Sequence, residues 1–296
     1  MKRASLLAVL LVALAAAAVA VEIVRDRAFP RAETARDLMY VRSGTFVGKA
    51  ALSYDALLAD VYWIRAIQHF GGTRRAADPA KKYDLLYPLL DIATTLDPYF
   101  NIAYRFGAIF LAEPFPGGAG QPALAVALLE KGMKARPDRW QYLQDAGFVY
   151  YWSLRDYKTA ASWFQKASEI PGAPWWLRSL AAVTLAQGGE RRGSRLLWQQ
   201  LAQTADNEWL RNEAARRLVQ LDALDQIDRL QALVAAYAGV SGRRPASWAD
   251  LVRAGLLGGP PLDPTGVGYV LDAETGGVTV ARESKLYPLP IEPKGL

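Results

Sequence analysis

The sequence predicts a mainly α protein: a solenoid of helical hairpins, with an N-terminal membrane helix ahead of it and a small α+β module after it. Three observations carry this. Residues 154–171, LRDYKTAASWFQKASEIP, space small Ala160, large Phe164 and small Ala167 by four and three positions, which sets all three on one face of a helix. A comparable size order recurs along the chain at steps of 34, 35 and 39 residues. From Val240 onward the helical period gives way to turns and short alternating stretches.

Residues 4–21 form a run of 18 without a charge, roughly 27 Å long as a helix and enough for a bilayer core. Lys2 and Arg3 precede the run, and Glu22, Arg25, Asp26 and Arg27 nearly cancel after it, so the positive-inside rule keeps the N-terminus cytoplasmic. Residues 1–27 read as a signal anchor or signal peptide. Ala18-Val19-Ala20 offers an A-x-A cleavage pattern, while Ile23 and Val24 extend the apolar character past it. The expected location is a bacterial-type inner membrane, crossed once by residues 4–24 with the bulk of the chain periplasmic. Cleavage of residues 1–20 would instead give an exported soluble protein. Residues 28–51 read as a linker.

Residues 52–221 carry the hairpins. Moving 34 residues forward from Ala160, Phe164 and Ala167 gives Ser194, Trp198 and Leu201; 35 back gives Ala125, Leu129 and Gly132; a further 39 back gives Leu86, Leu90 and Ala93. The extra length of the last step fits residues 113–121, EPFPGGAGQ, whose Pro and Gly cannot continue a helix. Each of these helices needs a partner before it. Apolar segments at helical spacing stand at residues 56–70, 101–112, 139–154 and 175–187, with Phe106, Gly107 and Tyr151 among their packing positions. Pro137 and Pro171 stand where the second helices should stop.

At these residues the chain resembles the tetratricopeptide repeat (TPR) family, whose consensus runs W-x2-L-G-x2-Y, then A-x3-F-x2-A, then P. It departs from that pattern at Gly147-Phe148, at Pro171 and at Ser194 and Leu201. The resemblance implies a concave surface lined by the first helix of each hairpin, on which family members hold peptides or partner proteins. By register, the lining would include Asn101, Tyr104, Tyr142 and Asp145, followed by Trp152, Trp176 and Ser179. The Lys and Asn arrangement of the carboxylate-clamp members is missing, so an aromatic groove of mixed polarity would suit an extended segment rather than a chain end.

Asp206-Asn207 can cap a helix through residues 208–221, and a further helix over 222–239 supplies the closing layer that solenoids need. Residues 240–283 read as a small module. Ser247 and Asp250 form a capping box, and GYVLD and GVTVA alternate around a turn as a β-hairpin. Residues 284–296 form a Pro-rich tail. Gly242, Pro245, Asp263, Pro264, Gly266 and Tyr269 follow the order seen in the C-terminal part of type II secretion pseudopilins, and this segment resembles them. The N-terminal G-F-T-L-x-E sequence of pilins is absent.

Much catalytic chemistry is excluded by composition. There is no cysteine and His69 is the only histidine, which removes disulfides, thiolate sites and multi-histidine metal sites. Residues 43–51, SGTFVGKAA, have one residue too few between their glycines for a phosphate loop and Ala50 where Ser or Thr is required. His69, just ahead of Phe70-Gly71-Gly72, reads as a helix-end structural residue. The basic pairs are scattered, so no nucleic-acid partner is expected, nor any cofactor. The expected function is a non-catalytic, membrane-anchored scaffold whose partner is a protein or peptide, with a pilus or secretion component as the leading class. The alternatives are a structural subunit of an envelope complex, or an enzyme accessory whose C-terminal module carries a site at acids such as Asp263 and Glu274.

Overall fold

The computed structural model describes residues 53–77 and 80–290, and positions 13, 14, 16–21 and 24, which are helical. Most of the expected membrane helix, the linker over 28–51, the segment SGTFVGKAA and the last six residues of the tail lie outside the described residues. Among the described residues no helix is long and apolar enough to cross a membrane. The chain divides into two units, residues 1–53 and 54–296, and the second unit holds both the helical array and the C-terminal module.

Local chemistry sets the helix ends. Helices α1 (Asp55–Arg75), α2 (Leu86–Leu96) and α3 (Asn101–Ala112) precede α4 (Pro122–Ala135), where Pro122 supplies a preset φ and has no N–H to satisfy. Helix α5 (Trp140–Phe148) widens into a π-helical turn, Val149–Leu154, which ends at Arg155 in the left-handed region with φ 55°. The Asp156 carboxylate then accepts from the Thr159 N–H at 2.9 Å and starts α6 (Tyr157–Ser168). Helices α7 (Trp176–Gln187), α8 (Arg191–Thr204) and α9 (Glu208–Ser241) follow, α9 capped by Asn207 and closed by Gly242 at φ 70°.

The helices pack in adjacent pairs: α1 with α2, α3 with α4, α5 with α6, and α7 with α8. First helices lie beside first helices. Trp63 of α1 meets Phe100 at the start of α3, with ring centroids 6.1 Å apart, and Phe70 stacks on Phe110 further along at 4.2 Å, so α1 and α3 run the same way. Tyr104 of α3 meets Tyr142 of α5 at 5.4 Å, and Trp140 of α5 meets Trp176 of α7 at 6.5 Å.

The small residues of the repeat are where neighbours come closest. A Cβ at Gly107 would lie 2.8 Å from the Leu90 side chain and 2.9 Å from that of Leu128; one at Gly132 would lie 3.0 Å from the Tyr104 ring. Phe164 is fully buried, with Ala160, Ala167, Leu177 and Ala181 in the same cluster. Leu86, Leu90, Ala93, Ala125, Leu129, Trp198 and Leu201 are likewise buried. Ser194 fits at a small position because its hydroxyl donates to the Ala182 carbonyl at 2.7 Å. Tyr151 is part-buried, and its hydroxyl donates to Gln187 at 2.7 Å, joining two hairpins. Phe106 is a correction: it is 50% exposed, because Phe110, stacked against Trp63 and Phe70, occupies the site between α1 and α3.

Two further expectations change. The helices over 208–221 and 222–239 are one helix, since Asp222 and Ala223 offer neither Gly nor Pro to break it. Its first half packs on α8 through Leu210, Ala214 and Leu221; its second half packs through Ile227, Leu230 and Val234 on the C-terminal module. Arg191 pairs with Asp225 and Asp228 at 2.9 and 2.6 Å, and Arg195 with Asp222 and Asp225 at 2.8 and 2.9 Å, tying α8 to the middle of α9. His69 is not at a helix end either: α1 runs on through Gly71-Gly72 to Arg75.

The module consists of α10 (Trp248–Arg253), begun by the expected Ser247/Asp250 capping box, and an antiparallel pair of strands. Strand β1 (Tyr269–Leu271) pairs with β2 (Val278–Val280), Tyr269 opposite Val280. The tail lies on α9. The fully buried Gln220 amide donates to the carbonyls of Leu286 at 2.7 Å and Pro288 at 2.9 Å, and Leu286 and Leu289 enter the apolar clusters. Replacing Gln220 with Ala strands both carbonyls and is expected to cost about 1–3 kcal/mol. Urea unfolding reads the loss, and faster amide exchange at residues 284–290 should accompany it.

Candidate functional site

The face shared by the first helices is apolar where α3 and α5 come together. Ile102, Phe106 and Ile109, spaced by four and three residues, form an exposed stripe along α3. Beside it a pocket of about 340 Å³ is walled by Ala108, Ile109 and Ala112 of α3 and by Phe148, Val149, Trp152 and Ser153 of α5 and its π-helical turn. Glu113 and Pro114, from the loop after α3, form one rim.

Trp152 dominates this pocket. It is 60% exposed, and its indole stacks on Phe148 with centroids 4.6 Å apart and an interplanar angle of 11°. Phe148 thus covers one face and leaves the other as a platform. The π-helical turn is held against α3, because the Ser153 hydroxyl donates to the Ala112 carbonyl at 3.1 Å.

A charge pair stands at the base. Arg105 of α3 donates through Nε to Asp145 Oδ2 at 2.5 Å and through a terminal nitrogen to Oδ1 at 3.0 Å, a two-pronged contact between hairpins. The Asp145 side chain is 14% exposed and that of Arg105 36%. Burial pushes the Asp145 carboxyl above the usual carboxylate range, outweighing the hydrogen bonds and charge of Arg105, while Asp145 raises the guanidinium further. Glu113 is also matched, at 3.0 Å, by Arg74. The pocket therefore carries both signs in pairs and presents mostly hydrocarbon.

Of the seven residues expected to line the groove, Asp145 and Trp152 meet at this pocket. Trp176 is exposed at the start of α7, against Trp140. Asn101 and Ser179 are part-buried near the starts of α3 and α7, with Asn101 Oδ1 and Ser179 Oγ enclosed and without a hydrogen-bond partner. Tyr104 and Tyr142 are corrections: both are 0% exposed, their rings in contact with each other, and they belong to the packing between α3 and α5. The Tyr104 hydroxyl donates to the Thr94 carbonyl at 3.2 Å, and burial raises the pKa of both phenols. Register along a helix names the correct turn, but the twist between neighbouring helices decides which side of that turn stays open. Arg105, Ile109 and Phe148 were missed. The available signal was Arg105 and Asp145 themselves, opposite charges 40 residues apart on successive first helices.

The acids of the C-terminal module are structural or solvated. Asp263 is buried and accepts from the N–H groups of Thr265 and Val267 and the hydroxyls of Thr265 and Ser284, which closes the DPTG turn; together these hydrogen bonds hold its pKa below the ordinary value against the opposing effect of burial. Glu274 is exposed on the hairpin. Among the described residues no group of His, Asp or Glu is arranged to hold a metal ion. The chain matches no family model, no curated protein and no solved structure.

Proposed function

We propose that this protein is a non-catalytic scaffold, a tetratricopeptide-type solenoid held by residues 4–24 at the outer face of a bacterial-type inner membrane. It binds an extended segment of a protein partner along its first helices. The supporting observation is the open face of Trp152, backed by Phe148 and set over a pocket whose charges are already paired. Such a pocket accepts an apolar or aromatic side chain, since a charged one would lose water without gaining a free partner. The stripe of Ile102, Phe106 and Ile109 extends the contact along α3. The class of partner, a pilus or secretion component, rests on the resemblance of residues 240–283 alone.

The test is a photo-crosslinking amino acid at Ile109 of the full chain, expressed in its own cells. It should give a discrete protein adduct, and Trp152→Ala should reduce that adduct about tenfold or more. The same crosslinker at Lys158, exposed on α6, should give none. Equal adducts from both positions, or indifference to Trp152→Ala, would refute the groove.

A further inference from the structure

One regular feature plays no part in the groove: a row of aromatic rings along one edge of the array. An aromatic residue stands within two residues of the start of every first helix and of α9: Tyr54, Tyr99, Trp140, Trp175 with Trp176, and Trp209. Tyr54, Tyr99, Trp175 and Trp209 are each more than half exposed. Neighbouring members of the row are joined in space at three points. Arg136, just ahead of α5, lies 5.2 Å from the Tyr99 ring; Trp140 meets Trp176 at 6.5 Å, and Trp175 meets Trp209 at 5.8 Å. Because α1 runs in the same direction as α3 and its Trp63 meets Phe100, Tyr54 stands further out on the same side, roughly 13 Å along α1 from Trp63.

Three properties identify what such an edge meets. Its rings are Trp and Tyr, which join an apolar body to one N–H or O–H, the combination suited to the boundary between hydrocarbon and headgroups. Its charge is nearly balanced. Within three residues of the rings stand Arg139, Arg178 and Arg211 against Asp55, Asp97, Asp138, Asp206 and Glu208, and Arg136 adds a cation over Tyr99. That balance complements a zwitterionic surface rather than an anionic one. Finally, the preceding chain, with its uncharged run over 4–21, joins this edge at Tyr54. A membrane helix over 4–24 would hold the whole unit from Tyr54 onward, this edge included, at high effective concentration near a bilayer.

We infer that this aromatic edge rests in the headgroup layer of a zwitterionic bilayer. The inference depends on the reading that residues 4–24 hold the chain in a membrane. No tryptophan precedes Trp63, so the apolar run itself contributes no indole emission. The full chain is reconstituted into phosphatidylcholine vesicles whose acyl chains are brominated near the headgroup, and quenching of its emission is compared with that of the Trp175→Phe/Trp209→Phe double variant. Trp152→Phe serves as the control. The double variant is expected to lose more than half of the quenching, the control to keep it, and high salt to leave the difference in place. Equal quenching of the native chain and the double variant overturns the inference alone, as does loss of quenching in the control, which would turn the groove rather than the edge to the lipid. A chain that does not float with the vesicles overturns both the inference and the membrane reading.

Discussion

Replacing Phe164 with Ala is expected to lower the unfolding free energy by about 3–5 kcal/mol, the largest single-residue loss in the array. Phe164 is fully buried, and its ring meets that of Phe148 edge-on at 5.0 Å. Within the buried cluster its companions are small: Ala160, Ala161, Ala167 and Ala181 have one side-chain carbon each, and Leu177 alone is larger. Bulkier, partly buried side chains such as Leu143, Leu180 and Leu197 stand around that cluster and can close part of the space, which places the loss near the middle of the range. The converse change is also costly. A Cβ at Gly147 would come within 2.4 Å of the Phe164 ring, so Gly147→Ala forces one of two packed helices to move. Urea denaturation followed by circular dichroism measures both; a Phe164→Ala loss under about 1 kcal/mol would mean that the interface relaxes freely.

The second large effect is expected at the base of the pocket. Arg105→Leu leaves the Asp145 carboxylate nearly buried without its partner. At neutral pH the cost is about 2–3 kcal/mol, below that of a fully enclosed pair because the Arg105 side chain is 36% exposed. Its pH dependence gives it a signature. Asp145 already titrates above the ordinary carboxylate range in the folded protein, so the folded state holds its proton more tightly than the unfolded chain. The stability that this group contributes is fully present below the unfolded pKa of about 3.9 and is lost as pH rises through the folded value. Removing the guanidinium raises that folded value further. Native and variant proteins should therefore differ most near pH 7 and least near pH 3, below the unfolded pKa and further below the raised folded one, where Asp145 is protonated and only the packing of the arginine stem is missing. A difference that is the same at both pH values would mean that the charge pair is solvated.

The pairing of helices was legible because close packing leaves a size record in the sequence. Ala160, Phe164 and Ala167, and the residues equivalent to them, are buried as their spacing requires. The departures have equally local causes. Phe106 and Phe110 compete for one interior site, and Phe110 takes it by reaching both Trp63 and Phe70, a choice that depends on the angle between α1 and α3. Repeat register set Tyr104 and Tyr142 on the groove, yet each ring is needed to fill the gap between α3 and α5. The π-helical turn at Val149–Leu154 has no Gly or Pro to announce it, and it helps to shape the pocket. Asp145 and Trp152 were expected on one surface and do line one pocket; their enclosure with Arg105 and Phe148 depended on distances between helices that spacing along one chain does not encode.

Helix α9 also decides how the row ends. Repeat arrays have an inherent hazard: the last hairpin offers a surface shaped to receive another hairpin, and a second copy of the same chain carries many. Here Leu210, Ala214 and Leu221 of α9 cover α8, and the same unbroken helix then enters a core with Leu251, Tyr269 and Val280. The helix that would have begun another repeat is committed along its second half to a different fold. The surface of α8 that could receive another hairpin is therefore filled from within the same chain.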